Sequence, residues 1–158
     1  MHNRPLVIAF AASLGLAGFA LPSLAEARTV RLTTTLKSYS GDGAYLALYL
    51  TDATGKFHST LKVAGPKAKY HKHLAGWFRG SGGRIDGTTG ASVGSGKSLQ
   101  VSVEIADALI DAGYQIRIDS AVEDKTDVAA DVIAPLTAAS SGKAVAGKGY
   151  VGSFTFDM

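Results

Sequence analysis

The sequence predicts an all-β protein: an antiparallel immunoglobulin-like β-sandwich of about seven short strands with one long glycine-rich loop. Three features point to it. Apolar and polar residues alternate with a period of two in several short runs, turn-forming clusters separate those runs, and strands do not alternate with helices as they would in a nucleotide-binding α/β fold. The chain has 158 residues, nineteen of them glycine, with 18% charged and 8% aromatic residues. That composition suits one turn-rich domain and argues against a coiled coil or a disordered acidic tail. A small barrel is the alternative closure of the same strands.

The first segment reads as a leader. His2, Asn3 and Arg4 make a weakly positive start, Leu6 to Leu21 is apolar apart from small residues such as Ser13, Gly15 and Gly18, and Pro22 ends the run. Ser23-Leu24-Ala25 and Ala25-Glu26-Ala27 are both small-residue cleavage patterns, so residues 1–27 are expected to be a secretory signal peptide and 28–158 a single exported domain. A membrane anchor needs about 20 unbroken apolar residues and stronger basic flanks. The expectation is a periplasmic protein with no membrane insertion after cleavage. With no cysteine in the chain, a lipoprotein anchor, disulfides, zinc–thiolate sites, iron–sulfur clusters and thiol nucleophiles are excluded.

Within the domain, Val30, Leu32, Thr34 and Leu36 alternate with Arg31, Thr33 and Thr35, the pattern of a half-buried strand. Gly41-Asp42-Gly43 is a turn, and Ala44 to Thr51 is a nearly continuous apolar run read as a core strand. Asp52-Ala53-Thr54-Gly55 turns it into a strand over Phe57 to Val63, closed by Gly65-Pro66. In Lys67 to Arg79, Tyr70, Leu74, Trp77 and Phe78 recur at helical spacing, which predicts one or two helical turns. Gly80 to Gly96 holds seven glycines and almost nothing apolar, and is expected to be a long structureless loop, a feature that is often functional. Ser98 to Ile105, Tyr114 to Val122, Asp131 to Thr137 and Gly149 to Phe156 supply the remaining strands, with Ala106 to Ala112 a connection or short helix.

The net charge of +3 is small, and the basic residues Lys62, Lys67, Lys69, Lys72 and Arg79 do not all fit one face, so the charge pattern argues against nucleic-acid binding. Glu104, Asp107 and Asp111 read as a solvated strand end, and no local signature of a hydrolase is present.

The long loop contains Asp86-Gly87-Thr88-Thr89-Gly90-Ala91-Ser92. It resembles the acceptor motif of proteins that carry covalent FMN, attached by the periplasmic FAD:protein FMN transferase. That motif is Asp, two variable residues, Ser or Thr, Gly, Ala, and then the acceptor Thr or Ser. Asp86, Thr89, Gly90, Ala91 and Ser92 occupy its fixed positions, although the family's acceptor is more often Thr. Phosphoryl transfer needs a hydroxyl in line with the FAD pyrophosphate. Ser92 supplies that oxygen, and Gly90 and Ala91 leave room for the loop to enter another enzyme's site. Asp86 either fixes the loop or acts within the transferase site.

From about Thr29 to Phe156 the order of features is similar to the predicted periplasmic proteins of domain-of-unknown-function family 2271. The landmarks are Asp52-Ala53-Thr54-Gly55-Lys56, Lys69-Tyr70 with Leu74 and Trp77-Phe78, Asp86 to Ser92, and Ala112 to Ile118. The resemblance implies a flavoprotein of envelope electron transfer that works with a PepSY-type membrane redox protein, in which the flavin would supply the redox chemistry. A ferric complex is one terminal partner it suggests.

Other clusters compete with this reading. In an extended segment His71 and His73 would share a face and suit copper or zinc, whereas a solvated basic loop is the plainer alternative. Trp77 with Phe78 reads as a core plug under the loop, and its functional counterpart is that one of these or Tyr70 stacks on the isoalloxazine ring. Tyr45 and Tyr49 fall on one strand face, where packing is the default. The alternative to the flavoprotein is a cofactor-free binding or structural module of the envelope, its loop contacting a partner protein.

Overall fold

A computed structural model describes residues 25–158; residues 1–24, most of the expected leader, lie outside the described residues. The strands are β1 (Ala27–Leu36), β2 (Tyr45–Thr51), β3 (Phe57–Ala64), β4 (Thr88–Gly90), β5 (Ser98–Ala106), β6 (Gln115–Ala121), β7 (Val128–Pro135) and β8 (Val151–Asp157). A 3₁₀ segment, Ala68–His73, and a helix, α1 (Ala75–Ser81), lie between β3 and β4. One sheet has the order β5-β1-β8 and the other β4-β3-β2-β6-β7. The pairings among the described residues are antiparallel except β3 with β4, which run parallel. The described residues therefore form a β-sandwich and not a barrel, with eight strands where the sequence suggested about seven.

Alternation drives the main core. Val30, Leu32, Thr34 and Leu36 of β1 point inward and are buried. They meet Ile105, Phe154 and Phe156 of their own sheet and Leu46, Leu48, Leu50, Ile116 and Ile118 of the other. Each of the apolar side chains among them contributes about 1.5–3 kcal/mol on burial.

The continuous apolar run of β2 has a different cause: the strand is covered on both faces. Ala47 and Tyr49 face away from the inter-sheet core and pack under Leu74 and Trp77 of the helical segment. Trp77 is fully buried, as a core plug should be, but it plugs the outer face of the five-stranded sheet beneath α1. Phe78 does not join it. Its side chain points out and is 37% exposed.

Asp119 of β6 holds this layer in place. Its carboxylate accepts Tyr49 Oη at 2.9 Å, Trp77 N at 2.7 Å and Ala130 N at 2.7 Å. Burial and the neighbouring Asp119 charge together push the Tyr49 phenol well above its ordinary range.

The expectation of a structureless loop over 80–96 is corrected. α1 runs to Ser81, β4 pairs with β3 in the register Lys62 with Thr88, Val63 with Thr89 and Ala64 with Gly90, and Val93 forms an antiparallel bridge with Ala44. The exposed edge of β3 captures this segment, because its free backbone groups need partners. A strand of three residues is too short to show a period in the sequence.

Candidate functional site

The motif begins with an anchor. Asp86 Oδ1 accepts the backbone N–H of Thr60 on β3 at 2.9 Å. Partial burial raises the Asp86 pKa, but the Thr60 hydroxyl and N–H more than offset this and hold the carboxylate below its ordinary range. Thr60 is also the acceptor for the Trp77 indole, Nε1 to Oγ1 at 2.9 Å, so one residue ties α1 and the motif to the same strand. Of the two roles left open for Asp86, fixing the loop is the one with a contact in the fold.

Gly87 then lets the chain graze β3. A β-carbon there would stand 2.6 Å from the Thr60 carbonyl oxygen and 2.9 Å from that of Leu61. Thr88 to Gly90 form β4, with Thr89 O accepting Lys62 Nζ at 2.7 Å and Gly90 O accepting Gly65 N at 2.8 Å. Thr89 and Ala91 are exposed, while Gly90 and Ser92 are half-buried. Beyond Ser92, Val93 exchanges hydrogen bonds with Ala44 at 2.7 and 2.9 Å. The Ser92 hydroxyl is thus held between two fixed points and lies against Gly43, where a β-carbon would come within 2.6 Å of Ser92 Oγ. It sits in a crease, not on the tip of a free loop.

Two hollows meet at Ser92. One is a cleft of about 590 Å³ whose walls include Tyr45, Pro66, Tyr70, His73 and Val122. The other, about 310 Å³, runs past Lys62, Gly90, Ala91 and Lys97. Ser92 is the one residue that lines both. The aromatic wall is braced: Tyr45 and Tyr70 meet edge to face at 5.7 Å, Tyr70 Oη donates to Glu123 Oε1 at 3.1 Å, and Lys67 N donates to Tyr45 Oη at 3.3 Å. For FMN joined to Ser92, the residues present fit the group: a half-buried hydroxyl where the two hollows meet, Tyr45 and Tyr70 in the wall of one and Lys62 and Lys97 in the wall of the other.

The other sequence candidates separate. The segment with His71 and His73 is helical, not extended, so the two histidines do not share a face. His71 is buried and donates Nε2–H to Gly65 O at 2.8 Å, whereas His73 Nδ1 pairs with Asp127 Oδ2 at the surface, 2.9 Å away. Among the described residues no group of three or more His, Cys, Asp or Glu side chains is placed to hold a metal ion. Trp77 is too deeply buried to stack on a ligand and Phe78 is not in the cleft wall, which leaves Tyr70 of the three aromatics named from sequence. Asp107 pairs with Arg28 at 2.7 Å, and that hydrogen bond and charge keep its carboxyl below the usual range. Asp111 Oδ1 accepts Ala138 N at 3.0 Å, and Glu104 accepts the Thr29 hydroxyl, so these three acids serve strand ends.

Sequence reasoning missed Gly43, Thr60, Lys62 and Lys97 as parts of the site. Gly43 stands in a recognised turn, but Ser92 lies 49 residues further along the chain, so their contact leaves no local signal. No helix among the described residues is long and apolar enough to cross a membrane.

The chain matches no curated protein and no solved structure. Residues 27–153 match the model of a family described as predicted periplasmic protein, and the chain belongs to that family, domain-of-unknown-function 2271.

Proposed function

We propose that the protein is a periplasmic electron-transfer protein that carries FMN covalently on Ser92 and works with a PepSY-type membrane reductase, with reduction of ferric complexes as one use. The observation that carries this reading is the position of Ser92. It closes a motif similar to the FMN-acceptor pattern and alone borders both hollows.

Attachment by an FAD:protein FMN transferase balances simply. Ser92 Oγ forms a bond to the phosphorus of the FMN half of FAD, the P–O bond to the AMP half breaks, AMP leaves, and the hydroxyl proton passes to the transferase or solvent. Bound FMN would supply the redox chemistry. The chain's own part is to present the hydroxyl and shape its surroundings. Asp86 pins the start of the motif to Thr60, and Gly90 and Ala91 keep the approach to Ser92 free of bulk. The Val93–Ala44 bridge fixes the far side.

The test is in-gel flavin fluorescence on protein exported from a cell that also expresses an active transferase. A fluorescent denatured band, lost in Ser92→Ala, is expected. A dark wild-type band, with a known acceptor modified in the same cells, would leave a cofactor-free envelope module and remove the electron-transfer role.

A further inference from the structure

Resting on the reading of Ser92 as the flavin acceptor, we infer that the 590 Å³ cleft seats the isoalloxazine ring against Tyr70 and Tyr45, with the phosphodiester lying toward Lys62 and Lys97. Because Ser92 borders both hollows, a phosphate one bond from its Oγ can lean to either side, and the linings sort the two halves of the group by charge.

The cleft rim carries Asp42, Glu123, Asp124 and Asp127 against Lys67 and Lys125, an acidic balance that repels a phosphate. The opposite hollow has Lys62 and Lys97 and no carboxylate in its wall. Lys62 Nζ spends one donor on Thr89 O and keeps others for an anion.

The cleft offers what the ring needs. Its volume falls in the range of cofactor sites, roughly 300–1,000 Å³. Tyr45, backed by Gly65, and Tyr70, with Lys69 Nζ 4.8 Å from its ring centroid, line the cleft and are fixed by their mutual edge-to-face contact and by hydrogen bonds from Tyr70 to Glu123 and from Lys67 N to Tyr45. His73, 6.4 Å from Tyr70 between ring centroids, extends the same wall and is itself held by Asp127. A tether at Ser92 raises the effective concentration of the ring at this surface, so even modest stacking suffices to seat it.

The experiment uses flavinylated full-length protein exported in a cell with the transferase. Iodide quenching of flavin emission is measured natively and in urea for wild type, Tyr70→Ala, Tyr70→Phe and His73→Ala, with flavin content per chain read from denaturing gels. Native wild type is expected to be quenched severalfold less than the urea-unfolded chain. Tyr70→Ala should close most of that gap, His73→Ala part of it, and Tyr70→Phe, which keeps the ring face, almost none, all at equal flavin content. The wild-type comparison needs no variant, so a poorly folded Tyr70→Ala chain does not protect the inference. Equal quenching in native and unfolded wild type would overturn the ring seat while leaving attachment standing, as would a sheltered flavin indifferent to both alanine variants. Wild type without flavin would overturn the attachment reading and the seat with it.

Discussion

Gly43 closes directly on Ser92: a β-carbon on Gly43 would stand 2.6 Å from Ser92 Oγ and 3.1 Å from its Cβ. The turn before β2 and the end of the motif are neighbours only because the Val93–Ala44 bridge brings them together. Gly43→Ala is therefore expected to push the hydroxyl out of its place and slow flavin attachment severalfold. The fold should tolerate it, because the nearest atom is the end of a side chain. The melting temperature should move by no more than about 4 °C, the scale of a 1 kcal/mol change in a domain of this size. Time courses of modification with purified transferase check the first effect and thermal unfolding the second.

Asp86 sets the stability of β4. Its carboxyl pKa is lowered in the folded chain, so its contribution is present above the ordinary carboxylate pKa and lost as the pH falls through the folded value. Asp86→Ala, which removes the acceptor of the Thr60 N–H, should speed hydrogen exchange at the Thr60 amide and across Thr88–Gly90 severalfold at neutral pH. Wild type should loosen in the same way on acidification, while the variant stays flat. Unchanged exchange at Thr60 in the variant would refute the anchor.

Asp119 is the acceptor for three buried donors: Tyr49 Oη, Trp77 N and Ala130 N. Asp119→Ala strands all of them beneath α1 and is expected to cost about 3–5 kcal/mol. The single tryptophan of the chain, Trp77, lies in this layer, so its emission reports urea unfolding of the helix cap directly.

Thr34 carries a buried hydroxyl without a hydrogen-bond partner, on the inward face of β1 between Leu32 and Leu36. Thr34→Val keeps the shape, removes the unpaired oxygen and suits a strand, so it should add about 1 kcal/mol of stability. A lower urea midpoint in the variant would show that the hydroxyl is satisfied.

What could be read in the sequence follows from range. The alternation of β1 and β5 and the doubly covered run of β2 are local patterns, and they gave a sandwich. The motif that ends at Ser92 is contiguous and so can be seen in the sequence. β4 cannot, since its three residues pair with β3 through backbone groups and a distant carboxylate. Asp119 reads in sequence as a polar outward position of an alternating strand. Only the packing of α1 over that face turns it into a buried cap. The cleft draws Tyr45, Tyr70 and Glu123 from three separate parts of the chain, and no spacing in the sequence announces such a convergence.

The central claim is that Ser92 bears FMN, and one peptide decides it. Trypsin cutting after Arg84 and Lys97 releases Ile85–Lys97, which holds Ser92 together with Thr88, Thr89 and Ser95. In protein exported beside an active transferase, tandem mass spectrometry of this peptide is expected to show the mass gain of one phosphoester-linked FMN, with the fragment ions placing it on Ser92. An unmodified peptide, or FMN on Thr88, Thr89 or Ser95, would contradict the claim.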